Sequence, residues 1–153
     1  MKIITCIILL GLIALQGNGA SGTDGKPPAT EEVPPYHSAA PKGKDAAALG
    51  TKEFDADPKM KVLYAQANHV RKVLYQLPCY CKCSRYLHHA SLLACYREKH
   101  ATTCDICQKE SVYAYEQAQK GQTVEQIRND IISGKWKDVD VDARVAAQAG
   151  RKK

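Results

Sequence analysis

The chain has 153 residues, 22 of them basic and 16 acidic, a formal net charge of +6, and seven cysteines. The basic residues are interleaved with acids, apart from a small cluster at Arg151, Lys152 and Lys153. No dense stripe of the kind that phosphate-backbone binding needs is present, so no nucleic-acid partner is expected.

Residues 1–20, MKIITCIILLGLIALQGNGA, begin with the single charge of Lys2, run apolar from Ile3 to Leu15, and end in small residues around Gly17–Ala20. That is the layout of a secretory signal peptide, and the run is too short for a comfortable membrane span. Cleavage is expected near Ala20, with Asn18 an unusual residue at the −3 position. Cys6 lies too early in the run to be a lipoprotein cysteine. The product is therefore expected to be exported, periplasmic or extracellular, with no stable membrane anchor after cleavage. The alternative is a short uncleaved anchor.

Residues 21–56 are rich in Pro, Gly, Ala and charge and hold almost no large apolar side chain. Such a segment cannot offset its own ordering entropy, so a disordered linker is expected, with polyproline character near Pro27–Pro28 and Pro34–Pro35.

A small all-α domain of about four helices is expected over residues 57–137. Asp57 is a good N-cap and Pro58 suits the first helical position. Met60, Leu63, Ala67, Val70, Leu74 and Leu77 then recur at helical spacing, and Pro78 stops the helix. A second, short helix is expected over 89–99, with Leu92, Leu93 and Tyr96 inward. A third runs from about Cys104 to Lys120, with Thr103 as N-cap and Gly121 as the stop. Thr123 and Gln126 make a capping-box pattern for a fourth, with Ile127 and Ile131 inward and Trp136 folding back on its end. The tail, residues 138–153, has little to bury and is expected to be flexible. A core this size often needs disulfides or a metal, so the cysteines can be structural first.

Once the leader is removed, six cysteines remain: Cys79, Cys81, Cys83, Cys95, Cys104 and Cys107. Export permits disulfides, and six thiols allow about 15 full pairings among which sequence does not choose. In PCYCKC, residues 78–83, an extended loop would place the sulfurs of Cys79, Cys81 and Cys83 along one side, with Tyr80 and Lys82 pointing away. A helix would scatter them by about 200° per step of two, so this is a loop motif. At the other end, the dipole of the third helix favours the thiolate at Cys104, and Cys107 completes a C-x-x-C. A C-x-C, twenty residues and a C-x-x-C approach the four-thiolate zinc pattern. Cys95 and His100 are further ligand candidates. His88 and His89 are weaker ligand candidates, whose ordinary roles would be capping a turn or bonding a backbone carbonyl.

Three functions fit these residues. The leading one is an extracytoplasmic metal-binding module, its thiolate site built from Cys79, Cys81, Cys83, Cys104 and Cys107, with a soft metal ion, copper or zinc, as cofactor. The second is thiol–disulfide exchange with a thiol partner protein, since a C-x-x-C at a helix start can poise a thiol; the βαβ setting of thioredoxin-like proteins is not visible here. The third is a disulfide-stapled binding or structural domain whose surface, at Tyr113 and Tyr115, carries a contact. Other catalytic chemistry is poorly supported. Ser91 lies in no nucleophile elbow, Cys95 and His100 would pair only by coincidence of spacing, and no glycine-rich phosphate loop exists. Gln108 after Cys107 excludes the C-x-x-C-H of covalent haem.

The stretch PCYCKCSRYLHHASLLACYREKHATTCDICQKE, followed by YEQAQKGQTVEQIRNDI, resembles the small exported bacterial proteins named for their PCYCGC or CYCXC motif. The likeness covers about residues 75–133. It implies an envelope-located, cysteine-rich helical module. Members of the CYCXC group are described as (seleno)proteins, which would favour redox or soft-metal chemistry over purely structural sulfurs. Lys82 stands where the PCYCGC version has glycine, and a bulky residue there argues against a turn with positive φ.

Overall fold

In the computed structural model, residues 32–42 and 47–150 are described. The expected leader lies outside them. The described residues hold seven α-helices and no strand, so the domain is all-α as expected.

The first helix, α1, spans Pro58–His69. Asp57 caps it by accepting a 3.0 Å hydrogen bond from the Met60 N–H, and Pro58 opens it. The apolar stripe expected to run to Leu77 is buried throughout: Met60, Leu63, Ala67, Val70, Leu74 and Leu77 all lie in the core. The helix itself is broken, because Val70 leaves helical geometry (φ −105°, ψ 23°) before the single turn of α2, Arg71–Leu74. Helical spacing thus survives a break in the helix.

The second expected helix shrinks to one turn, α4, Ala94–Arg97. The Leu92 and Leu93 N–H groups donate instead to the carbonyls of Leu77 and Leu74. That anchors the segment to the end of α2 and leaves no bonds for a helix to begin earlier. Leu92, Leu93 and Tyr96 are buried as expected. Between these pieces lies α3, Cys83–Tyr86.

The central helix is α5, Asp105–Gln119. Its N-cap is Cys104 rather than Thr103. Gly121 follows its end at φ 82°, the left-handed stop that glycine permits. The capping box of Thr123 and Gln126 is formed at the start of α6, Val124–Ile132. Ile127 and Ile131 are buried, and Trp136 folds back to donate its indole N–H to the Ile131 carbonyl at 3.1 Å.

Two segments are more ordered than their composition suggests. Residues 141–150 form α7, Val141–Gly150, and Val139, Val141 and Val145 are buried. The expected linker packs in part as well. Ala48 and Leu49 are bound by Asn68 and Tyr96, Phe54 is buried against Tyr64, and His37 stacks on Tyr75 at 3.8 Å. A few apolar and aromatic anchors in a polar segment are enough to hold it.

Candidate metal centre

The site lies where four chain segments meet. Leu77 and Pro78 are buried and carry the chain off α2 into the loop of Cys79 and Cys81. The loop is not extended: it turns at Tyr80 and Cys81, and Cys83 already starts α3. The turn is closed by Lys82 at φ 65°, which reverses the expectation from its bulk. Its carbonyl accepts from Arg85 N–H, and the Cys83 carbonyl accepts from Leu87 N–H, so the left-handed residue is held by the helix it begins. Cys95 comes from α4, His100 from the 3₁₀ turn Lys99–Thr102, and Cys104 and Cys107 from the start of α5.

All six thiols are free and meet with His100 in one cluster. Cys79, Cys81 and Cys107 form a triangle of sulfurs with sides of 3.4, 3.5 and 3.6 Å. Cys83 and Cys95 are 3.4 Å apart, and Cys95 lies 3.9 Å from Cys79. The Nε2 of His100 is 3.6 Å from the sulfur of Cys81. Two groups of four have all their donor atoms within 4.8 Å of one another: Cys79, Cys81, Cys83 and Cys95, and Cys81, His100, Cys104 and Cys107. Either can hold a metal ion. A tetrahedron of sulfurs about 2.3 Å from a zinc ion has edges of about 3.8 Å, so these separations are close to those of a ligand shell. A disulfide needs about 2.05 Å.

Thiols this crowded do not ionise independently. Contacts with Cys107 and Cys79 pull the Cys95 thiol down to about 4. Contacts with Cys107, then with Cys81, hold the Cys79 thiol up, and Cys81 is pulled down by Cys104, Cys107 and Cys79. Cys104 does sit at the helix start, yet its thiol is raised: contact with Cys107 lowers it, while contact with Cys81 and burial outweigh that. A shared cation would relieve all of these contacts at once.

Three further residues support the site. Glu110 is fully buried, and its Oε1 accepts the Tyr80 N–H at 2.8 Å, tying the cysteine loop to α5. Burial holds its carboxyl well above the usual carboxylate range. The only sequence signal is its place three residues after Cys107, on the same helix face. His89 is buried with its Nδ1 at 3.3 Å from the Cys95 sulfur and its Nε2 on the Glu98 carboxylate. Burial opposes charge on His89, but Cys95 and Glu98 outweigh it and raise its pKa. It therefore bonds a sulfur and a carboxylate rather than the backbone carbonyl expected. Gln108 donates to the carbonyls of Ala101 and Thr102, fixing the turn that carries His100. His88 is exposed, takes φ 56°, and belongs to neither ligand group. Tyr113 and Tyr115 are half-buried: Tyr113 donates to Asp130 at 2.8 Å, and Tyr115 meets the His69 ring edge-on at 5.8 Å.

One protein family matches the chain, over residues 10–142; it is described as a protein of unknown function with PCYCGC motif. No curated protein and no solved structure matches.

Proposed function

The chain belongs to the PCYCGC-motif family, and from that premise we propose that it is an extracytoplasmic metal-binding module whose six cysteines and His100 hold a soft ion, copper or zinc. The observation that carries the reading is the convergence of six free thiols and an imidazole from four separate segments, at separations close to those of a ligand shell. Thiolates select soft ions, and imidazole suits both zinc and copper. Export is part of the reading and rests on the character of residues 1–20.

The test is metal uptake by the reduced, metal-free protein, followed by alkylation. Stoichiometric copper or zinc should be retained, and the six cysteines should become protected from the alkylating agent. Retention of neither ion, with all six thiols open to alkylation, contradicts the reading. Rapid oxidation to disulfides that a small dithiol reverses would instead point to thiol–disulfide exchange.

A further inference from the structure

The two groups of four donors are not separate sites. They share Cys81. One group is all sulfur, Cys79, Cys81, Cys83 and Cys95; the other is Cys81, Cys104 and Cys107 with His100. These are the Cys₄ and Cys₃His sets of tetrahedral zinc sites. Across the boundary between the groups, Cys79 and Cys107 are only 3.5 Å apart, so the two shells abut.

We infer that the cluster is a binuclear centre for two divalent zinc-class ions, with Cys81 as a bridging thiolate. The inference rests on the metal-binding reading and adds the number, charge and unequal exposure of the ions. Six sulfurs and one imidazole nitrogen supply eight bonds only if one donor serves both ions, and Cys81 is the donor common to both groups.

Charge favours divalent ions. Six thiolates and two divalent ions leave a charge of −2, whereas two monovalent ions leave −4 in a largely buried site. Unbalanced buried charge is expensive, so the divalent filling wins. The binding step displaces thiol protons to solvent and changes no oxidation state.

The two positions differ in access. In the all-sulfur group, Cys79, Cys83 and Cys95 are buried and only Cys81 is half-exposed. In the other group, only Cys107 is buried, while Cys81, His100 and Cys104 are half-exposed. The inner ion is closed in, as structural zinc is. The outer ion can meet an incoming ligand, so it is the one that exchanges.

The experiment uses the exported protein, reduced and stripped of metal, and titrates it first with zinc under native mass spectrometry. Two ions per chain are expected. A strong chelator should then remove them in two phases, the first at least tenfold faster. Cobalt(II) should add a bridging signature: the paramagnetic resonance signal rises to one equivalent and falls as the second ion couples to the first through sulfur. His100→Ala should bind one ion and lose the fast phase, with the slow phase changed less than threefold. His100 is half-exposed, so its removal does not open the core; Cys104→Ser serves as a second variant, with the same expected loss. One ion per chain in the parent protein overturns the binuclear inference and leaves the metal-binding reading standing. No ion at all overturns both. Two ions with additive cobalt signals overturn the bridge.

Discussion

At φ 65° Lys82 stands in the left-handed region, where a side chain costs on the order of 1 kcal/mol relative to glycine. The family's motif places glycine between its second and third cysteines, and the turn explains why. Lys82→Gly should therefore leave stability unchanged or raise it by up to about 1 kcal/mol, while Lys82→Val should lower it by about 1 kcal/mol or more. Denaturant melts of the two variants check the sign. The same turn hangs on Glu110. Because the amide oxygen of glutamine can accept from the Tyr80 N–H as the carboxyl does, Glu110→Gln should cost under about 1 kcal/mol. Glu110→Ala should cost about 2–4 kcal/mol, since it opens a cavity and orphans that N–H. Equal losses in the two would show that the acceptor is not what matters. The six thiols and His100 were legible as donors because their residue types are rare and their spacing is tight. Lys82 and Glu110 were not, because a lysine and a glutamate in a helical sequence are ordinarily exposed and carry no local mark of the conformation or burial imposed on them.

Between elements, the working contacts are end-to-end. Tyr113 on α5 donates to Asp130 on α6, whose other oxygen pairs with Lys135 at 2.6 Å. Lys135 first, and Tyr113 after it, hold the Asp130 carboxyl below its usual range; burial and Asp130 push the Tyr113 phenol up to about 12. A depressed carboxylate adds stability above its unfolded pKa, near 3.9, and loses it as pH falls through the lower folded value. Asp130→Asn should then cost about 1 kcal/mol at pH 7 and nearly nothing at about pH 2. A loss independent of pH would contradict the pairing. Thr123→Ala, which removes one side of the capping box, should cost about 1 kcal/mol in thermal or denaturant melts. Caps are local, so the starts at Asp57 and Thr123 were readable, while Thr103 gives way to Cys104 one residue on. Breaks and truncations imposed by contacts distant in sequence were less so. Val70 breaks a helix whose apolar stripe continues without interruption, and the 89–99 helix is cut short by bonds to Leu74 and Leu77, which no local pattern announces.

For the whole molecule, the core and the sulfur cluster are continuous. Cys79, Cys83, Cys95 and Cys107 lie in the same buried cluster as Leu63, Tyr64 and Tyr96. Tyr96 also donates its hydroxyl to the Cys107 carbonyl. Metal binding to such a site is folding energy, so chelation should lower the melting temperature as well as empty the site. The C-terminal helix belongs to this core through Val139, Val141 and Val145. Its sequence concealed that, because three valines among polar residues look sparse until a groove receives them. Ending the chain after Asp138 should lower stability by about 2–5 kcal/mol, counting about 1.5–3 kcal/mol for each fully buried valine and allowing for the conformational entropy regained. An unchanged melting temperature would show that α7 contributes nothing.

The most direct test of the thiolate centre is the intact mass of the protein, purified without reductant and sprayed under native conditions, beside a thiol count after denaturation. The expected species is a chain that begins near Ser21, carries added metal mass, and yields six free thiols once unfolded. A mass lower by about 6 Da with no free thiol, the signature of three permanent disulfides, would contradict it.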